Sequence, residues 1–174
     1  MRWDDIGFSL CPIARSLSVV GDRWTLLILR ELGMGMRRFE EVQAQTGMSS
    51  HLLSTRLKRL KAEGVIEWRL YSIKPARYEY SATPKGKELD AVLLALHAWG
   101  QKWGGFDPQS EPSLTFLLRA TGKQIDAQWD SPTGDKPFTF DETELVLSAA
   151  FRAEREARRI AFLAVRRDTR GLRK

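Results

Sequence analysis

Apolar side chains recur at helical spacing along the first hundred residues and at strand spacing in the middle and near the end. Ile13, Leu17 and Val20 form an apolar-periodic run after Cys11-Pro12, where proline suits the first helical position, and Gly21 ends that run. Residues 23–32, with Trp24, Leu27 and Ile28, carry more apolar faces than a single stripe needs, which predicts a central buried helix broken by Gly33 and Gly35. Residues 39–45 predict a short helix with Phe39 and Val42 inward. Beyond Gly47, Ser49 or Ser50 suits the N-cap of a helix over 49–63 that stops at Gly64. Its Leu53, Leu57 and Leu60 fall at i, i+4 and i+7, a single inward stripe that leaves the polar side chains outside.

The pattern then changes period. Residues 65–72 are β-branched and aromatic, Ile73-Lys74-Pro75-Ala76 turns the chain, and 77–82 returns it, a two-stranded ribbon over 65–82. Thr83 caps a further helix with Pro84 at its first position. Along it Leu89, Val92, Leu93, Leu96, Trp99 and Trp103 recur at spacings of three and four. Gly104-Gly105, Pro108 and Pro112 mark a linker. After it, residues 114–118 and 125–129 predict short strands, Ser131-Pro132-Thr133-Gly134 a turn and 138–140 a third strand. Asp141 with Glu144 has capping-box spacing ahead of an Ala- and Arg-rich helix to about 167, although 145–147 could extend the sheet instead. The fold expected is mainly α with a β wing, a winged helix-turn-helix over 1–104, followed by a small α+β extension over 105–174.

Charge sharpens this picture. The 174 residues carry a net +6, but unevenly: zero over 1–36, +6 over 37–87, −6 over 88–150 and +6 over 151–174. One positive concentration therefore coincides with the helix-turn-helix and ribbon, where it would attract a polyanion. Helix, turn, basic helix and basic ribbon in that order form a unit that places a helix in the DNA major groove and a wing beside it. The lone cysteine excludes an internal disulfide and any multi-cysteine metal site. No apolar run approaches the ~18 residues of a membrane span or resembles a signal peptide, so a soluble cytoplasmic protein is expected.

These residues also carry a resemblance. Cys11-Pro12-Ile13, Gly21-Asp22-Arg23-Trp24-Thr25, Leu27-Ile28-Leu29-Arg30-Glu31-Leu32 and Arg38-Phe39-Glu40-Glu41 stand in an order that continues through Leu53-x-x-Arg56-Leu57-x-x-Leu60-x-x-Glu63-Gly64. Arg77-Tyr78-Glu79-Tyr80 and Thr83-x-x-Gly86 complete it. Across roughly 11–104 the chain resembles the HxlR family of bacterial winged-helix transcriptional regulators. Met36 and Ser72 replace prolines common in that family, away from any expected DNA contact. The resemblance implies a homodimer that contacts DNA through the second helix of the motif and the wing. In several such regulators the cysteine matching Cys11 senses oxidants or electrophiles.

The expected DNA contacts follow. Ser50, His51, Ser54 and Thr55 lie near the start of helix 49–63, where helix-turn-helix proteins reach base edges. Arg56, Lys58, Arg59 and Lys61 suit phosphate contacts. Lys74 and Arg77 flank the wing tip and Arg69 approaches it, placed for the minor groove or adjacent backbone. The same charges would also guard an exposed ribbon against edge pairing. Leu89, Val92, Leu93, Leu96, Trp99 and Trp103 are the expected dimer interface. Cys11, at a helix N-terminus with Arg15 a turn on, is either a redox sensor or a small packing residue. His51 and His97 have no spacing that joins them to Cys11 in catalysis, and no acidic pair is set apart. No enzyme activity, metal or cofactor is expected. The function expected is sequence-specific binding of a pseudo-palindromic operator by a dimeric repressor, with an oxidant or small molecule as inducer. A winged-helix protein-interaction scaffold is the alternative, and it has no need of the basic helix and wing.

Overall fold

The computed structural model describes residues 3–107, 109–125 and 138–171. They divide into two compact units, Met1–Gly86 and Lys87–Lys174. The second unit begins ahead of residue 104 because the helix beginning at Asp90 packs with the later strands.

In the first unit a short 3-10 helix, Trp3–Phe8, precedes α1 (Pro12–Val20), α2 (Thr25–Gly33), α3 (Phe39–Thr46) and α4 (Ser50–Ala62). An antiparallel hairpin follows, β1 (Ile66–Ser72) and β2 (Arg77–Ala82). The core gathers Ile28 and Leu32 of α2, Val42 of α3 and the expected Leu53, Leu57 and Leu60 of α4, all essentially without solvent contact. Each helix stops where its sequence stops it. Gly47 adopts the left-handed conformation at φ 70°, and its N–H closes α3 on the Gln43 carbonyl. The Ser49 hydroxyl accepts the Leu52 N–H and starts α4.

The apolar run of α1 is not buried within the fold. α1 has no buried residue: Ile13 and Leu17 are 71% and 41% exposed, and Phe8 and Leu10 before it are more exposed still. Amphipathic spacing reports that a face is apolar, and among the described residues nothing buries this one.

The end of α4 is tied down by the segment that follows the wing. Lys85 Nζ donates to the Glu63 carbonyl, and the Thr83 hydroxyl donates to those of Gly64 and Val65 while accepting the Gly86 N–H. Gly86 is packed so tightly that a β-carbon there would lie 2.1 Å from the Val65 oxygen. Thr83 and Pro84 begin a helix as expected, but only a short one, α5 (Pro84–Lys87).

The second unit contains α6 (Asp90–Trp103) and a three-stranded antiparallel sheet of β3 (Leu114–Leu118), β4 (Gln124–Ile125) and β5 (Thr143–Leu147) in the order β4-β3-β5. It ends in α7 (Ala149–Gly171). Leu114, Phe116 and Leu118 alternate inward, and Phe116 stacks on Phe140 with ring centres 4.8 Å apart. His97 of α6 meets Phe116 edge-on at 5.1 Å. The Asp90 carboxylate accepts the Phe140 N–H at 2.9 Å.

Two expectations fail here. Residues 138–140 are not a strand, and Asp141-Glu144 does not cap a helix. Phe140–Glu142 is a 3-10 turn and Glu144 lies in β5, paired with Leu117. The sheet extends through 145–147 instead, and Ser148 caps α7 by accepting the Phe151 N–H. The expected turn 131–134 and most of strand 125–129 lie outside the described residues.

Candidate DNA-binding interface

α3, the turn at Gly47-Met48 and α4 form the helix-turn-helix. Gln43 fixes the turn: its amide donates to the Met48 carbonyl at 3.1 Å and to the Ser50 hydroxyl at 2.9 Å. Ser50 therefore accepts from inside and keeps its proton for an outside acceptor. The Thr55 hydroxyl donates to the His51 carbonyl at 3.0 Å, which leaves its lone pairs and methyl group outward. Ser50, His51 and Thr55 are exposed and Ser54 is half-buried. The first two turns of α4 thus offer a donor, an acceptor with a methyl group, and an imidazole. A thymine methyl, an adenine N6 amino group and a guanine N7 are chemically matched to such a set.

The four cations expected on α4 separate into two groups. Lys58 is exposed and has no ion-pair partner among the described residues. Arg56 is turned inward. Its guanidinium lies 3.4 Å from the Asp22 carboxylate, and the two side chains are 24% and 19% exposed. Burial alone would raise the Asp22 carboxyl. The Thr25 hydroxyl, the Trp24 and Thr25 N–H groups and the Arg56 charge outweigh it and hold the group below the usual carboxylate range. Asp22 so joins the start of α2 to the middle of α4, and Arg56 has the geometry of a structural brace. Arg59 is also engaged, donating to the Ser18 carbonyl at the end of α1. Lys61 lies over the Trp68 ring, 4.1 Å from its centre, and fastens the base of the wing to the end of α4.

On the wing, Trp68 packs against Tyr78 and Tyr80 with centres 5.5 and 6.0 Å away. A bulge between Leu70 and Ser72 distorts the ladder before the tip. The Ser72 hydroxyl donates to the Pro75 carbonyl and closes the turn. Lys74 and Arg77 are exposed without an ion-pair partner among the described residues. Arg69 reaches Glu79 at 3.5 Å but is 85% exposed. Sequence reasoning missed Gln43, Asp22 and Trp68, which position the site without touching its outer face. Only their partners in space reveal them.

The residues expected as a dimer stripe fall on α6 and its N-cap. Leu94, between the stripe positions, is the buried apolar residue, while Val92, Leu96, Trp99 and Trp103 are exposed and Leu89 and Leu93 half-buried. Cys11 is an exposed free thiol at the N-cap of α1, and Arg15 Nε is occupied by the Ser9 carbonyl at 2.7 Å. Among the described residues no group of three or more His, Cys, Asp or Glu side chains could hold a metal, and no helix is long and apolar enough to cross a membrane.

Comparison with known proteins places this geometry. A regulator of Synechocystis sp., sll1512, described as an uncharacterized HTH-type transcriptional regulator, is 38% identical over 95 residues, 54% of this chain and 70% of its own. Mb3122 of Mycobacterium bovis, described in the same words, is 41% identical over 91 residues, 52% of this chain and 58% of its own. The crystal structure of PA1607, described as a candidate transcription factor, superposes over 80% of this chain and 96% of its own with a TM-score of 0.62 at 30% identity. The model of the HxlR-like helix-turn-helix family matches residues 19–108, more than half of the chain and all of the helix-turn-helix and wing. The chain belongs to the HxlR-like helix-turn-helix family, a family of transcriptional regulators and not of enzymes.

Proposed function

We propose that this chain is a dimeric repressor that reads the major groove of a pseudo-palindromic operator with α4 and grips the flanking backbone with its wing. The observation that carries the reading is the division of labour on α4 and the hairpin. Apolar and bracing side chains point inward, while Ser50, His51, Thr55, Lys58, Lys74 and Arg77 remain outward. The exposed α6 stripe supplies a surface for a second copy, and a two-fold protein selects a two-fold site. Occupancy alone suffices for repression. A cytoplasmic location fits this reading, and no helix among the described residues is long and apolar enough to cross a membrane.

The test is selection of duplexes from a randomised pool, followed by footprinting of the selected site. A protected region with dyad symmetry is expected. Replacing Lys58, Lys74 or Arg77 with Ala should weaken binding to every sequence and lower the salt slope by about one each. A footprint without a dyad, or unchanged slopes, overturns the reading. An input enters at Cys11, whose exposed thiol stands at the start of α1. A mild oxidant should lower operator affinity reversibly in wild type and leave Cys11→Ser unaffected; equal responses exclude that role.

A further inference from the structure

We propose that Ile73 at the tip of the wing is an apolar wedge that enters the DNA minor groove and levers open a base step. The inference rests on the operator-binding reading above and adds a mode of contact to it. Three large apolar side chains on the hairpin are exposed, and they are not equivalent. Leu70 faces Tyr78 across the ladder, and the Tyr71 ring lies 5.1 Å from the Arg38 guanidinium. Ile73 is 77% exposed, against 46% and 37% for those two. It stands at the outermost turn, between the bulge and Pro75, in a tip closed by the bond from Ser72 to Pro75.

A hairpin that presents one branched apolar side chain next to Lys74, with Arg77 at the far end of the same turn, combines the two features of minor-groove wedges. Cations are drawn by the groove's negative potential, and an aliphatic group can slide between base planes. The wing is also braced where leverage requires it. Lys61 over Trp68 ties its base to α4, so force applied at the tip is held by the helix in the neighbouring groove. A protein partner for Ile73 would need a different surround: the exposed cations beside it complement a polyanion. The base step under the tip should be a flexible pyrimidine–purine step, which unstacks at least cost.

The experiment uses full-length protein and duplexes selected by wild type from a randomised pool, with Ile73→Ser, Ile73→Leu and Lys74→Ala. Affinity is read over a salt series, and bending by circularly permuted probes. Ile73→Ser should lose about tenfold in affinity at every salt concentration, keep the wild-type salt slope and bend the duplex less. Ile73→Leu should restore both affinity and bend. Lys74→Ala should change the slope instead. Replacing the pyrimidine–purine step with a rigid A-tract should weaken wild type and leave Ile73→Ser indifferent. If Ile73→Ser binds and bends as wild type does while Thr55→Ala loses specificity, the wedge is wrong and operator reading by α4 stands. If wild type shows no salt-sensitive duplex binding, both fall.

Discussion

Arg56 shows how residue type and residue role diverge. On a helical wheel it is one more cation on a basic helix. In the fold its guanidinium braces Asp22, itself held by Thr25 and Trp24. Arg56→Ala should therefore lower stability by roughly 1–2 kcal/mol, since it leaves a half-buried carboxylate without its countercharge, and should barely alter the salt slope of DNA binding. Thermal melts beside a salt titration separate the two effects, and Lys58→Ala should show the opposite pattern. Asp90 is the second residue with a testable charge. Burial pushes its carboxyl up to about 6, Asp141 adds to this, and the Phe140 N–H and Lys87 oppose it. Between about pH 4 and 6 the folded protein holds a proton that the unfolded chain has released, so this group's contribution to stability falls as pH rises through that window. Asp90→Asn keeps an acceptor for the Phe140 N–H and should stabilise the second unit by roughly 1–2 kcal/mol at pH 7, with little change at pH 4. His97 pulls the other way: burial lowers its pKa against the backbone bond at Leu114, so acidification below about 6.5 costs stability. Urea melts of wild type and Asp90→Asn across pH 4–7 isolate the carboxyl.

At the scale of elements, legibility followed how local the determining physics is. α3, α4 and the hairpin were readable because each has a stop of its own. Gly47, Ser49 and Gly64 bound the helices, and Pro75 sits in the wing turn. β3 was readable as a short, mostly apolar segment after the linker. The region after Phe138 was not. Asp141 and Glu144 have helix-start spacing, but Lys87 pairs with Asp141, and the Glu144 backbone completes a ladder with Leu117. Tertiary partners overrode local preference. The same limit applied to the site. Its outer residues were legible as types, whereas Gln43, which orients Ser50, lies seven positions away on another helix. Ser49 yields a prediction at this scale. Ser49→Ala removes the acceptor for the Leu52 N–H, which should cost about 1 kcal/mol and fray the turn that carries Ser50 and His51. Hydrogen exchange at Leu52 and a loss of operator affinity should appear together.

For the whole molecule, the open question of assembly is concentrated on two tryptophans. Trp99 and Trp103 are each 64% exposed, so neither contributes much to the fold of one chain. Changing both to Glu should leave the melting temperature near wild type while converting a dimer to a monomer at micromolar concentration in sedimentation. Operator affinity should fall with it, because two half-sites no longer share one binding event. A lasting consequence lies in the tight corner at Gly86. A methyl group there meets the Val65 carbonyl at 2.1 Å, and the carbonyl cannot retreat without disturbing the hold of Thr83 on the end of α4. Gly86→Ala keeps every functional side chain and should cost roughly 1–3 kcal/mol. For a geneticist that is a route to a conditional allele. A cell carrying it would regulate normally in the cool and lose the regulator on warming, and the transcripts that change within minutes of the shift would name its targets.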